Sequence, residues 1–351
     1  MNENIIFCDN LNYEVKKLFD NYNFSKIFII TDHNTSQNCG SKLEILKNNN
    51  FTQELSIAPG DENKNLETLK YLWEQLLTQN ADRNSLIINL GGGVVTDIGA
   101  FAASTFKRGI SFVNIPTSLM AMADAAIGGK CGINFNNFKN QIGTFALPIA
   151  TYIYTPFLET LPQRHLLAGY AEMIKHALLD NNKHWQKISS VIPSKIDFKY
   201  LDILLKESIQ VKLNYIKDDL QDKAMRQALN FGHTIGHSIE TFFLNKNVDI
   251  LHGEAVAIGI IAEVYLSNKI TNFNYNNVFE IVSFISSHFP TYRITYNDYP
   301  AILDIMLKDK KNSNNKIVFS LLSDFGKINL HQQADKSLIS EALNFYFQVK
   351  K

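Results

Sequence analysis

A chain of 351 residues provides for about two domains at roughly 150 residues each, both long enough to bury a core. Lys plus Arg and Asp plus Glu are equal at 34 each, so no net field draws the protein toward nucleic acid or an anionic membrane. At 45% hydrophobic and 19% charged residues, the composition is globular and excludes disordered, collagen-like and coiled-coil classes.

The start, Met1-Asn2-Glu3-Asn4, has no basic targeting region, and no apolar run reaches the ~18 residues of a membrane-span candidate, so a cytoplasmic protein is expected. Cys8, Cys39 and Cys131 lie far apart without a CxxC pair, which predicts reduced thiols rather than a disulfide framework or a thiolate zinc site. Through the first half, short β-branched runs alternate with helical stretches, the pattern of a sheet with crossover helices. Strands are predicted at 26–31, 86–90, 112–115 and 151–154, with Pro116 and Pro156 following two of them. From Phe157 onward, apolar periodicity predicts helices over 168–179, 200–217, 226–244 and 253–267. A strand at 316–322 is expected to pair with 328–330 across Asp324-Phe325-Gly326-Lys327. The expected division is an α/β domain over 1–156 and a mainly helical domain over 157–351, with a ligand in the cleft between them.

The strand at 86–90 runs into Gly91-Gly92-Gly93-Val94-Val95-Thr96-Asp97 and an Ala-rich helix. Consecutive glycines opening a helix let backbone approach a pyrophosphate and aim N–H groups and the helix dipole at it, although a plain glycine turn has the same look and the spacing is not G-x-G-x-x-G. Asp32, just after an earlier strand, is placed either to hold ribose hydroxyls or to make an ordinary strand-end turn. Pro59-Gly60-Asp61-Glu62-Asn63-Lys64 offers acids and a lysine suited to ribose and phosphate, or equally to a solvated helix start.

Asn230-Phe231-Gly232-His233-Thr234-Ile235-Gly236-His237 puts two imidazoles on one helical face, and His252 follows in Leu251-His252-Gly253-Glu254. Neutral imidazoles plus one carboxylate make a catalytic zinc site with an open position. Glu172, in Gly169-Tyr170-Ala171-Glu172-Met173-Ile174-Lys175, is the candidate carboxylate, because an unpaired charge in an otherwise apolar helix is costly. Spacing alone selects His233 and His237 as the ligand pair. The span from Pro116 to Pro148 holds Asp124, Gly128-Gly129-Lys130, Asn134 and Lys139-Asn140, rich enough in glycine and polar residues to predict a functional loop. Lys130, Lys139, Lys175, Lys212 and Arg226, if convergent, would require a substrate with several negative charges.

In this order, Gly91-Gly92-Gly93-Val94-Val95-x-Asp97, Pro116-Thr117-Ser118-Leu119, Asp124-x-x-x-Gly128-Gly129-Lys130-x-Gly132-Ile133-Asn134, Gly169-x-Ala171-Glu172-x-x-Lys175, Asn230 to His237 and His252-Gly253-Glu254 resemble the 3-dehydroquinate synthase family of sugar phosphate cyclases. The resemblance runs from about Asp32 to Leu322. It implies a Rossmann-like α/β N-terminal domain, a mainly α-helical C-terminal domain, bound NAD, one divalent metal, usually zinc with cobalt as the alternative, and a homodimer. It implies Glu172, His233 and His252 as metal ligands and moves His237 to the substrate. Asp32, Asp61, Lys64, Gly93, Val94, Val95, Thr96, Asp97, Thr117, Ser118, Lys130, Lys139, Phe157, Leu158, Glu159 and Thr160 correspond to NAD-contacting positions. Asp124, Lys130, Asn140, Lys175, Lys212, Arg226, Asn230, His237 and one of Lys310 or Lys311 correspond to substrate positions, and Arg108 to an arginine that reaches phosphate across a dimer interface.

The chain departs from the commonest family pattern at Thr96 and Phe138, where glycines are usual, and at Ala125-Ala126, where a Ser pair is usual. The substrate so implied is the phosphorylated sugar acid 3-deoxy-D-arabino-heptulosonate 7-phosphate, with no nucleic-acid or membrane partner. Competing readings are an inosose- or valiolone-forming cyclase, a metal-dependent polyol dehydrogenase and an NAD-holding scaffold. The resemblance gives Lys212, Arg226 and Asn230 to the acid end of the substrate, which argues against the first.

Overall fold

The computed structural model describes residues 3–47, 52–136, 138–307 and 317–349. The chain forms two compact units, Met1–Pro162 and Gln163–Lys351. The first contains β1 (Ile5–Phe7), α1 (Leu11–Asn21), β2 (Ile27–Asp32), α2 (His33–Cys39), α3 (Glu44–Lys47), β3 (Thr52–Ile57), α4 (Leu66–Thr78), β4 (Leu86–Gly91), α5 (Gly93–Thr105), β5 (Ser111–Pro116), β6 (Lys130–Phe135), β7 (Phe138–Phe145) and β8 (Thr151–Ile153). Six of these strands make one parallel sheet in the order β1-β8-β5-β4-β2-β3. Every residue of β4 is buried, as expected for a central parallel strand covered on both faces. Asn10 and Asn65 cap α1 and α4 through Tyr13 N and Thr68 N, satisfying backbone donors that have no partner inside the helix.

Two strands of the sheet escape the sequence patterns. β3 is an edge strand with exposed Gln53 and Glu54, so its alternation is too polar to stand out, and β1 has only three residues. The stretch expected as a loop folds instead as an antiparallel hairpin, with Cys131 opposite Thr144 and Ile133 opposite Ile142. Gly132 and Gly143 face each other there, and a Cβ on Gly132 would stand 2.4 Å from Ile142 O. The two strands therefore approach more closely than side chains would allow.

The second unit contains α6 (Gln163–Asp180), α7 (Asn182–Ser189), α8 (Phe198–Ile216), α9 (His233–Asn245), α10 (His252–Thr271), α11 (Tyr275–His288), α12 (Tyr299–Leu307), β9 (Ile317–Asp324), β10 (Lys327–Ala334) and α13 (Lys336–Val349). Helix α10 is buried along nearly its whole length, and α6, α9, α11, α13 and β9 pack around it. That placement follows from a sequence apolar on all sides. The predicted hairpin forms as β9 and β10, turning at Gly326 with φ +72°. Among the described residues no helix is long and apolar enough to cross a membrane.

The helix expected over 226–244 is corrected by the structure. A 3-10 segment, Met225–Asn230, ends before Gly232, whose φ of +79° breaks the run, and α9 begins at His233. The break has a packing cause, because a Cβ on Gly259 of α10 would fall 1.9 Å from Gly232 O. Backbone meets backbone where α9 and α10 start and cross. Gly259→Ala is expected to destabilise the protein by about 1–3 kcal/mol, the usual cost of overpacking, read by urea denaturation.

Candidate functional site

In the N-terminal unit the glycine turn Gly91-Gly92-Gly93 leads from β4 into α5. Gly92 occupies the N-cap without a capping side chain, so the first N–H groups of α5 have no side-chain acceptor there. A Cβ on Gly91 would lie 2.5 Å from Val95 Cβ, and one on Gly92 would lie 3.4 Å from Ser118 Oγ, so the turn is a cradle that side chains would fill. Thr117 N donates to Gly91 O at 2.9 Å and fastens the neighbouring strand end to it. Val94 is half-buried and Val95 buried. Thr96, at an atypical position, turns its hydroxyl to Gly93 O at 3.1 Å and Gly92 O at 3.3 Å, so it takes none of the turn's N–H groups.

Beside the turn lies a polar cluster. Lys64 Nζ is 2.9 Å from Asp97 Oδ2 and 2.5 Å from Asn140 Oδ1. Lys139 Nζ is 3.2 Å from Asp61 Oδ2, and Asn134 donates to the same oxygen at 2.9 Å. Burial pushes the Asp97 carboxyl up against the pull of Lys64, with Asp61 and Asp124 adding to the rise. Asp32 caps α2 through Thr35 N at 2.8 Å, the strand-end reading of that residue. Phe157 and Leu158 are buried in the 3-10 segment Thr155–Thr160. Exposed Glu159 pairs with Lys42 at 3.4 Å, and Thr160 donates to Phe157 O. Asp124 sits half-buried in a π-helical turn, Ala121–Ala125, and Lys130 is exposed at the start of β6. Arg108 is also exposed, with φ +70° between Lys107 at +49° and Gly109 at +110°.

In the C-terminal unit His233, His237 and His252 offer ring nitrogens that all lie within 4.8 Å of one another. Glu172 Oε1 is 3.3 Å from His233 Nε2 and 3.6 Å from His252 Nε2. The other ring nitrogens are already committed. His233 Nδ1 lies 3.1 Å from Phe231 O, and His252 Nδ1 lies 3.1 Å from Glu240 Oε2. In the neutral ring that metal ligation requires, an Nδ1 that donates leaves Nε2 as an acceptor, so both Nε2 lone pairs would then face the same carboxylate oxygen.

Neither Glu172 oxygen makes a hydrogen bond of good geometry, although Lys175 Nζ stands 2.5 Å from Oε2. Acceptors gathered this way in a buried place suit a cation. Burial alone would push the Glu172 carboxyl up, but Lys175, His233 and His252 hold it well below the usual carboxylate range. Burial and Lys175 keep His233 low, whereas Glu240 and Glu172 outweigh burial at His252 and raise it to about 10.

Lys175, Lys212 and Arg226 are 1%, 4% and 3% exposed, which is rare for such side chains and marks them off from ordinary surface cations. Arg226 donates from a terminal guanidinium nitrogen to Leu220 O at 2.7 Å, and Asp219 receives the N–H groups of Lys223, Ala224 and Arg226. Asn230 is half-buried and His237 exposed. Lys310 and Lys311 lie outside the described residues.

Three supporting residues were not singled out from sequence as site residues: Arg164, Glu240 and Glu263. Each acid lies in an apolar helix, the same signal that singles out Glu172. Arg164 makes a bidentate contact with Glu254 at 2.7 and 2.8 Å, while Glu254 also accepts from Leu251 N and Tyr292 OH. This fastens the start of α10, where His252 stands.

Burial would raise the Glu254 carboxyl, but Arg164 and Tyr292 hold it below its ordinary value. The pair therefore stabilises the fold above the unfolded carboxyl range and loses that contribution as pH falls through the lowered folded value. Arg164→Met is expected to cost about 1–3 kcal/mol near neutral pH, discounted for the 40% exposure of the arginine. Urea titrations at neutral and acid pH should show the parent–variant gap shrinking on acidification. An unchanged gap would contradict the pairing.

The 3-dehydroquinate synthase N-terminal family model matches residues 54–168, and the corresponding C-terminal model matches 169–312. A 3-dehydroquinate synthase from Parabacteroides distasonis is 39% identical over 344 residues, 98% of each chain. Among solved structures, 2-epi-5-epi-valiolone synthase from Streptomyces hygroscopicus, with NAD+ and Zn2+ bound, superposes with a TM-score of 0.87 at 24% identity, covering 99% of this chain and 97% of that one. A 2-deoxy-scyllo-inosose synthase complexed with carbaglucose-6-phosphate, NAD+ and Co2+ gives 0.86 at 24% identity, covering 97% and 95%. At that identity the two structures speak for the fold.

Proposed function

This chain belongs to the 3-dehydroquinate synthase family, and from that premise we propose that it converts 3-deoxy-D-arabino-heptulosonate 7-phosphate to 3-dehydroquinate and phosphate. The reaction is a phosphate-eliminating carbon–oxygen lyase reaction that proceeds by transient oxidation, elimination, re-reduction and intramolecular aldol closure, with no net consumption of NAD. The observation that carries the reading is the coexistence, in one chain, of the Glu172, His233 and His252 acceptor cluster with the buried cations Lys175, Lys212 and Arg226. A polyol dehydrogenase has little use for those cations.

Glu172, His233 and His252 would hold one divalent metal, zinc or cobalt, and the glycine turn would hold NAD. When bound, the metal supplies Lewis acidity toward substrate oxygens, and NAD supplies reversible hydride acceptance. Lys175 beside Glu172 places a positive charge where an alkoxide or phosphate oxygen needs one. Arg226, Lys212 and Asn230 hold the substrate carboxylate, with the guanidinium giving planar, directional recognition. His237, exposed beside the other two rings, binds phosphate or passes a proton. Asp124, Lys130 and Asn140 are proposed as substrate-binding residues, and Arg108 as a phosphate-binding residue contributed by the partner in a homodimer.

For the dinucleotide, the glycine turn would receive the pyrophosphate, and Gly93 to Asp97, Thr117 and Ser118 would contact NAD around it. Asp32, Asp61, Lys64, Lys139 and the segment Phe157 to Thr160 hold the remainder. Free, buried Cys8, Cys39 and Cys131 agree with a reducing cytoplasmic setting.

Lys64→Met is expected to weaken NAD binding at least tenfold, because it strips Asp97 of its cation and releases Asn140. Calorimetric titration with NAD checks this, and parent affinity would remove Lys64 from the NAD contacts. The reaction itself is tested by supplying the heptulosonate phosphate with NAD far below substrate. Phosphate released in large excess over NAD, with no accumulating reduced nicotinamide, supports the reading. One NADH formed per turnover contradicts it.

A further inference from the structure

We propose that Glu240 and Glu263 form a reciprocal brace for the metal centre: helices α9 and α10 each carry one ligand histidine and one buried carboxylate that fixes the histidine of the other. The proposal rests on the assignment of His233 and His252 as ligands and adds two positioning residues to it.

Glu240 lies on α9 and is 2% exposed. Its Oε2 is 3.1 Å from Nδ1 of His252, the first residue of α10. This contact sets the ring's rotation and leaves Nε2 directed at Glu172 Oε1, 3.6 Å away. A carboxylate on the far nitrogen of a ligand imidazole also raises its basicity toward a metal.

Glu263 lies on α10 and is fully buried. Its two oxygens accept from two backbone donors at the start of α9, Gly232 N at 2.7 Å on Oε2 and Ile235 N at 3.0 Å on Oε1. His233 sits between those donors and is the first residue of α9. Its Nδ1 is held in turn by the carbonyl of Phe231, the residue before the clamped Gly232. Glu263 thus fixes the turn that fixes the His233 ring. At a water-exposed helix start, a Ser or Asp at the helix's own N-cap would cap these N–H groups at little cost. Here a carboxylate is carried into the core from the neighbouring helix, which is expensive unless its geometry is used.

The glycines make the brace possible. A Cβ on Gly259 would fall 1.9 Å from Gly232 O, and one on Gly236 would fall 3.0 Å from Ala255 O. The helices therefore touch by backbone, and a glutamate side chain spans from either one to the first turn of the other.

The test measures metal affinity rather than turnover. Parent, Glu240→Gln and Glu263→Gln proteins are loaded with Co2+, titrated against a chelator, and followed by visible absorption, with folding monitored by circular dichroism. Glutamine keeps the volume, but at 263 it must face one backbone N–H with its own amide and at 240 it weakens the hold on His252. Each variant is expected to bind Co2+ about 10–100-fold more weakly with an altered cobalt spectrum, and to bind NAD within twofold of the parent.

The double variant should lose less than the product of the single losses, because both act on one centre. A cap that served folding alone would lower the melting temperature and leave affinity and spectrum unchanged. That outcome in either variant overturns the reciprocal brace. If Glu263→Gln does not fold, Glu263→Asp, too short to span both donors, takes its place with the same readout. His233→Ala and His252→Ala separate the two levels. Retention of one metal at parent affinity in those variants refutes the ligand assignment, whereas loss there with parent affinity in the glutamate variants refutes only the brace.

Discussion

Glu172→Gln is expected to abolish metal retention, from one metal per chain in the parent to a small fraction after desalting. Glu172 is fully buried, its Oε1 faces two imidazole Nε2 atoms at 3.3 and 3.6 Å, and its Oε2 faces Lys175. Glutamine keeps the volume but removes the charge that balances the cation and gives one of the two positions an amide donor. The same change leaves Lys175 without this carboxylate, and losing one partner of a buried pair costs about 3–5 kcal/mol of stability. The two effects separate experimentally. In the parent, added zinc should raise the melting temperature because metal binds the folded state alone, whereas in the variant it should not. Stoichiometric zinc in Glu172→Gln would remove Glu172 from the ligand set.

Arg226→Met should have the second-largest effect, and on a different quantity. Arg226 is 3% exposed and donates to Leu220 O, and Asp219 accepts three backbone N–H bonds from Lys223, Ala224 and Arg226 itself. A substrate carboxylate would meet this buried guanidinium with charge-assisted hydrogen bonds. Charge-assisted hydrogen bonds to such a group are worth about 1.5–3 kcal/mol, or roughly 10- to 150-fold in binding. KM for the carboxylated substrate should rise by that order while NAD affinity stays within twofold. Arg226→Lys should recover only part of the loss, since an ammonium cannot form the planar pair. Equal losses for substrate and NAD would make Arg226 a structural residue.

Much of this was legible from local signals. The β4 strand, the glycine turn and α5 follow from a β-branched run ending in three glycines, and Glu172 stands out as a charge in an apolar helix. What was not legible depends on distant parts of the chain. Apolar periodicity continues across 226–244, yet the helix breaks at Gly232 because Gly259, 27 positions later, lets α10 approach its carbonyl. Spacing favoured His233 and His237 as the ligand pair, whereas the structure brings all three histidines together and sets Glu172 beside His233 and His252. Only the resemblance had pointed to that combination. The hairpin at 130–145 was masked by glycines that serve close strand approach, which resemble those of a loop. Arg164 gave no periodic or motif signal, because its meaning lies in Glu254, 90 residues away.

The most direct test of the account compares substrates. Zinc-loaded protein with catalytic NAD is given the heptulosonate phosphate and, separately, hexose and heptulose phosphates that lack a carboxylate, and phosphate release is followed with reduced nicotinamide. The account predicts release from the carboxylated substrate alone, with no net NADH. Comparable release from the substrates without a carboxylate would contradict it and move the enzyme to the inosose- or valiolone-forming cyclases.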